Sequence, residues 1–244
     1  HDYHMDVDDR YRIKNRNPIT TGFTRLDEIT QGGFGESELG VVIAPTGAGK
    51  SMVLVHLGAT AVKEGKTVVY YTLELADTVV GQRFDSCITD IKLGDLLKNK
   101  YNVVEKLKDV KGHLIIKEYP MKSASTQTIR SHIERLKKRG TKPDMVLIDY
   151  ADLLKPVKSH GEKRHELEGI YEELRSIAQQ EKCTIVTASQ TNRSGLNAEV
   201  ITMEAISEAF NKCFVADFIF SLSRTPQDKQ ANTGRVFIAK NRNG

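Results

Sequence analysis

From Glu38 onward the chain alternates short apolar runs with longer amphipathic stretches. The runs lie at residues 39–43, 67–73, 114–117, 145–148, 184–188, 214–222 and 235–239, and their length and β-branched content predict strands. Residues 50–63 read as a helix. Ile129, Ile133 and Leu136 fall at steps of four and three, followed by Lys137, Lys138, Arg139 and Gly140. That is an apolar helical stripe with a cationic last turn and a glycine cap. Leu167, Ile170, Leu174 and Ile177 repeat the spacing. Strands apolar on both faces, separated by helices, predict an α/β fold with a mainly parallel central sheet flanked by helices on both faces. The chain has no internal repeat and no low-complexity tract.

At 244 residues the chain suits one large domain. Residues 1–18 are polar and charged and end at Pro18, which predicts a linker followed by a domain over 19–244. No apolar run approaches the roughly 20 residues that span a bilayer, and the charged start has no apolar stretch of a secretory signal. A cytoplasmic setting is expected. Cys87, Cys183 and Cys213 lack the paired spacing of a zinc site or disulfide framework and read as buried thiols. The net charge of +4 is compatible with a nucleic-acid partner but too mild to indicate one. The start at His1 and the end on Asn243-Gly244, directly after an expected strand, suggest a piece of a longer chain.

The chemistry begins after the first run. Ala44-Pro45-Thr46-Gly47-Ala48-Gly49-Lys50-Ser51 fits the phosphate-loop pattern, with Ala44 in place of the usual first glycine. Gly47 and Gly49 let the backbone wrap phosphates, which a Cβ would hinder. Lys50 offers a charge to the β and γ phosphates and Ser51 a hydroxyl to Mg²⁺, while the following helix aims its positive end at the anion. ATP and Mg²⁺ are the implied ligands.

A second apolar strand ending in an acid should stand beside such a loop, and Met145-Val146-Leu147-Ile148-Asp149 supplies one. Asp149 is the expected Mg²⁺ partner, a helix cap being the other reading of such an acid, and Asp152 is the weaker metal candidate. Glu74 closes the 67–73 run, where a carboxylate could orient and deprotonate water. It could equally be a surface acid opening the next helix. Gln190 follows the 184–188 run, where an amide could sense the γ phosphate.

Taken together these pieces resemble the C-terminal ATPase domain of DnaB-type replicative helicases and their phage relatives, over about residues 20–244. The marks are Thr21-Gly22-Phe23 with Leu26-Asp27, the phosphate loop, Leu73-Glu74, Ile148-Asp149-Tyr150 with Leu153, Ser189-Gln190 with Asn192-Arg193-Ser194, Ala216-Asp217, and Ile238 to Gly244. The resemblance implies a RecA-like P-loop NTPase fold, with Glu74 as catalytic base and Gln190 as γ-phosphate sensor. It also implies that Lys240 and Arg242 reach a neighbouring subunit's ATP site, Arg242 as the arginine finger. A guanidinium supplied in trans suits charge developing on a transferred phosphoryl group. On the residues alone, the pair would be a solvated lysine and arginine after an edge strand.

Residues 155–164 carry Lys155, Lys158, Lys163 and Arg164 directly after the metal strand, and Arg193 sits in a second irregular stretch, 191–200. Both suit sequence-independent contacts to the phosphates of single-stranded DNA, although charge runs are often only solvated. The resulting expectation is an ATP-hydrolysing replicative helicase motor, assembled as a homo-oligomeric, hexameric ring, with primase or a loader engaged through parts not in this sequence. The rivals are a RecA-like or RadA-like recombinase and a KaiC-like, ATP-regulated assembly protein. Fold analogy alone does not separate them.

Overall fold

The apolar runs become the strands of one sheet in the computed structural model, which describes residues 16–157, 163–191 and 210–243 and, at Lys163, the backbone alone. In chain order the elements are α1 (Thr24–Ile29), β1 (Leu39–Ala44), α2 (Lys50–Lys63), β2 (Thr67–Thr72), α3 (Asp77–Thr89), α4 (Lys100–Lys108) and β3 (His113–Glu118). Then follow α5 (Thr126–Lys138), β4 (Met145–Asp149), α6 (Lys163–Glu181), β5 (Thr184–Gln190), β6 (Phe218–Ser223), α7 (Pro226–Gln230) and β7 (Arg235–Asn241). The sheet order is β3-β2-β4-β5-β1-β6-β7. All pairings are parallel except β6 with β7.

Side chains alternate across the sheet, so each strand feeds two cores. Val42, Tyr70, Leu147 and Val186 face Leu54, Val55 and Leu57 of α2 and Phe84 of α3. Val41, Tyr71, Ile148 and Ile185 face Ile129 and Ile133 of α5 and Ile170, Leu174 and Ile177 of α6. The spacing of Ile129 and Ile133 therefore does bury one helix face. A capping box at Ser125 and Thr128 starts α5, and Gly140, at φ 84°, follows its cationic end. Ile133 is fully buried, and Ile133→Ala is expected to cost about 2–5 kcal/mol through lost burial and a residual cavity. Urea unfolding monitored by circular dichroism measures it.

The strand expected over 214–222 begins only at Phe218. Asp217 accounts for the difference. Its backbone N–H donates to Leu39 O (2.9 Å), and its carboxylate Oδ2 accepts from Leu39 N at 3.0 Å. A side-chain oxygen thus takes the ladder position, and the residues before it turn out of a helical segment. The stretch read as linker is also bound to the domain from Arg16 onward. Arg16 pairs with Glu38 through Nε–Oε1 at 2.9 Å and Nη2–Oε2 at 3.0 Å, and Ile19 exchanges two backbone hydrogen bonds with Phe34.

Thr21-Gly22-Phe23 lies on α2, the helix that carries the phosphate loop. Asp27 Oδ1 accepts from Thr21 N at 2.8 Å and Thr21 Oγ1 at 2.7 Å. Gly22 has φ 75°, and a Cβ there would come within 2.8 Å of His56 Nε2 and Thr60 Oγ1. Cys183 and Cys213 are buried, and burial pushes each thiol up to about 12. Cys87 is only half-buried, short of the buried thiol expected. No helix among the described residues is long and apolar enough to cross a membrane.

Candidate nucleotide site

Because β1, β2, β4 and β5 are parallel, their C-terminal ends lie along one edge of the sheet. That edge gathers residues far apart in sequence, the usual ligand position in open α/β sheets. β1 stays apolar through Ala44 because both its faces are covered, and the chain then turns sharply into α2. Gly47 (φ 76°) and Gly49 (φ 106°) take left-handed backbone, which glycine alone adopts without strain. A Cβ on Gly47 would meet nothing within 4 Å, so the loop's outer side is open. Gly49 is also the N-cap of α2 and has no side chain to cap it, leaving first-turn N–H groups directed outward for an anion.

Lys50 Nζ folds back on Ala44 O and Pro45 O at 3.4 and 3.5 Å. It also lies 5.6 Å from the centre of the Tyr150 ring. Burial lowers its pKa from the ordinary lysine value, and the carboxylates of Asp149, Glu74 and Asp152 oppose that shift. Glu74 and Asp149 stand at the ends of β2 and β4, on the edge where the loop lies, and Asp152 stands in the turn just after β4. Ser51 sits in the first turn of α2 beside it.

Asp149 closes β4 and is 1% exposed. Alternation puts it on the sheet face that α2 covers, because Leu147 packs there. Its Oδ2 accepts a hydrogen bond from Tyr70 at 2.9 Å, and its Oδ1 is buried with no hydrogen-bond partner. A buried carboxylate oxygen without a hydrogen bond, at the sheet edge where the phosphate loop also lies, suits a hard cation such as Mg²⁺. Glu74 follows β2 and is exposed, with α3 beginning only at Asp77. Gln190 ends β5 opposite Ala44, where its Nε2 donates to Thr46 Oγ1 at 2.5 Å and its Oε1 accepts from Tyr150 at 3.4 Å. The amide thus touches the phosphate loop itself.

Asp152, the weaker metal candidate, is held by three side chains. Its carboxylate accepts from Tyr171 at 2.7 Å and Lys212 at 2.7 Å, and from Ser189 Oγ at 3.3 Å. It ties the segment after β4 to the end of β5 and to the helical segment before β6. Nothing local marks Tyr70, which looks like any aromatic strand residue until β4 is placed beside β2. Asp217 is a junction: Arg175 and Arg242 both pair with its Oδ1, at 2.9 and 3.1 Å.

Lys240 and Arg242 are not at this edge. β7 is antiparallel, with Ile219 opposite Lys240 and Phe218 opposite Asn241, and Arg242 N donates to Asp217 O. Arg242 therefore stands level with the start of β1, roughly 17 Å along the strand from the phosphate loop. Lys240 Nζ donates to Phe214 O and lies over the Phe214 ring, 4.2 Å from its centre. Burial lowers its pKa, and Arg242 adds to the effect.

Of the residues expected to meet DNA, Lys155 is exposed next to the start of α5, its backbone N–H donating to Ala124 O at 2.8 Å. Arg164 is exposed and pairs with Glu168 at 3.0 Å, so part of its charge is already answered. Lys158, Arg193 and the side chain of Lys163 lie outside the described residues.

Phosphate loop, acid-ended β4, glutamate after β2 and amide after β5 on this strand order define the chain as a P-loop domain of the RecA-like ATPase type. The family profile described as DnaB-like helicase C terminal domain matches residues 18–244, and the chain belongs to that family. It is 28% identical over 231 residues to the DnaB-like replicative helicase of Enterobacteria phage T4, covering 90% of this chain and 49% of that one. To the replicative DNA helicase DnaB of Mycoplasma genitalium it is 27% identical, covering 93% and 52%. The chain thus spans about half the length of these curated relatives. Two solved structures share the fold at 18% identity. One is the ATPase domain of G40P, with a TM-score of 0.77 over 97% of this chain and 88% of that one. The other is a DnaB-like replicative helicase studied for its interactions with primase, with a TM-score of 0.79 over 99% and 60%.

Proposed function

We propose that this chain is the motor domain of an ATP-dependent replicative DNA helicase, working as a ring of six copies that draws single-stranded DNA through its centre. The observation that supports the reading is where these residues lie on the sheet. The phosphate loop, Glu74, Asp149 and Gln190 share one edge, and Lys240 and Arg242 lie at the other. A head-to-tail contact that brings the second edge of one copy to the first edge of the next completes the site, and such contacts generate rings.

In this reading the backbone of residues 44–51 cradles the phosphates and Lys50 exchanges its loop carbonyls for β and γ oxygens. Ser51 and Asp149 hold Mg²⁺, which neutralises phosphate charge when bound. Glu74 takes a proton from the attacking water. The water oxygen forms the new bond to the γ phosphorus, and the bond to the β-bridging oxygen breaks to release ADP. Gln190 contacts the γ phosphate from its place beside Thr46, and Asp152 conveys that contact to the segments after β4 and β5. Lys155, Lys158, Lys163, Arg164 and Arg193 hold DNA phosphates, with salt-dependent and sequence-independent affinity.

The first test is steady-state ATP hydrolysis across protein concentration, with and without single-stranded DNA. The expected result is a rate rising more steeply than linearly with concentration and stimulated by DNA. A linear rate indifferent to DNA would overturn both the shared site and the DNA motor.

A further inference from the structure

Tyr70 is fully buried in the middle of β2, on the face covered by α2, and packs edge-on against Phe84 with ring centres 5.5 Å apart. An aromatic at this position needs no hydroxyl to fill the core. The hydroxyl nevertheless reaches forward across the sheet. Thr72 is the register partner of Asp149 and Tyr70 that of Leu147, so the phenol spans a diagonal to donate to Asp149 Oδ2 at 2.9 Å. A phenol keeps its proton at neutral pH and serves here as the donor. An ionised carboxylate is an acceptor only, and this one has its two oxygens in unlike positions. Oδ2 is tied to the phenol, while Oδ1 is buried without a hydrogen bond.

We propose that Tyr70 is a positioning residue that fixes the rotation of the Asp149 carboxylate, so that Oδ1 is the oxygen presented to the nucleotide-bound cation and its water shell. The inference rests on the reading of Asp149 as a Mg²⁺-side acid. A carboxylate at a strand end can otherwise rotate, and turning Oδ1 away from the cation removes a charge-assisted contact that exists only when metal is present. Groups that orient metal-side ligands typically change metal affinity by about 10- to 100-fold when removed. Here the hydroxyl orients one carboxylate among several contacts, so the lower end of that range is expected.

The test is equilibrium binding of a fluorescent ADP derivative, followed by anisotropy across a Mg²⁺ titration and again in EDTA, for wild type, Tyr70→Phe, Asp149→Asn and the double variant. Tyr70→Phe keeps the ring and its contact with Phe84. It should leave affinity in EDTA unchanged and raise the Mg²⁺ concentration for half-maximal effect about tenfold. If the phenol acts through Asp149, the double variant should match Asp149→Asn alone rather than multiply the two shifts. A Tyr70→Phe curve identical to wild type beside a shifted Asp149→Asn curve would overturn the role of Tyr70 and leave that of Asp149 standing. An unshifted Asp149→Asn curve would overturn the metal reading itself. An equal loss of affinity in EDTA and in Mg²⁺ would make Tyr70 a packing residue only.

Discussion

Arg242→Ala is expected to lower kcat for ATP hydrolysis by about 10³- to 10⁵-fold, the range an arginine finger supplies, with the protomer's own nucleotide binding largely kept. Within its own chain Arg242 pairs with Asp217, a carboxylate shared with Arg175, at the opposite end of β1 from the phosphate loop. It has no route to its own site. A direct check is to mix two inactive variants. An Arg242→Ala copy keeps an intact phosphate loop, Asp149 and Glu74, and a Glu74→Gln copy beside it supplies the missing guanidinium. At equal ratio, about a quarter of the interfaces in randomly mixed head-to-tail rings would be complete. Activity should therefore reappear on mixing. Mixed rings that assemble and stay inactive would return Arg242 to the status of a solvated edge cation held by Asp217.

The other large effect is expected at Glu74. General-base catalysis contributes about 10²- to 10⁴-fold, and Glu74→Gln should lose that factor in single-turnover hydrolysis while still binding ATP. The amide has nearly the same shape but does not accept the water proton. Glu74 is exposed, close enough to oppose the fall in the Lys50 pKa, and is followed by two residues before α3 begins. A surface acid serving only the helix would leave the single-turnover rate within a few-fold of wild type on replacement. Tight ATP binding with slow chemistry would identify the base, whereas loss of binding would assign Glu74 to ground-state contacts instead.

Much of this was legible in the residues because the signals are local. Strand runs followed by helical spacing specify an α/β sheet through burial alone, and the phosphate loop is a contiguous segment whose glycines are required by its own backbone. The later start of β6 was not legible. Phe214 to Ala216 are as apolar as a strand, and only the bonds between Asp217 and Leu39 decide where pairing begins. Arg16 looked like linker for a similar reason, since its ion pair is with Glu38, beyond the Ile19–Phe34 bridge.

The sequence by itself determined the chemical inventory: a loop that fits phosphate, an acid-ended strand, a glutamate and an amide at strand ends, and cations after the last strand. Short-range requirements of backbone and side-chain type are enough for that. Tertiary structure alone decided which of these groups meet. Strand order brought Lys50, Glu74, Asp149 and Gln190 to one edge and set Arg242 at the other, turned Asp152 into a tie between segments, and joined Tyr70 to Asp149. Those pairings depend on contacts between residues far apart in the chain, formed when the whole sheet buries its faces, and no local pattern encodes them.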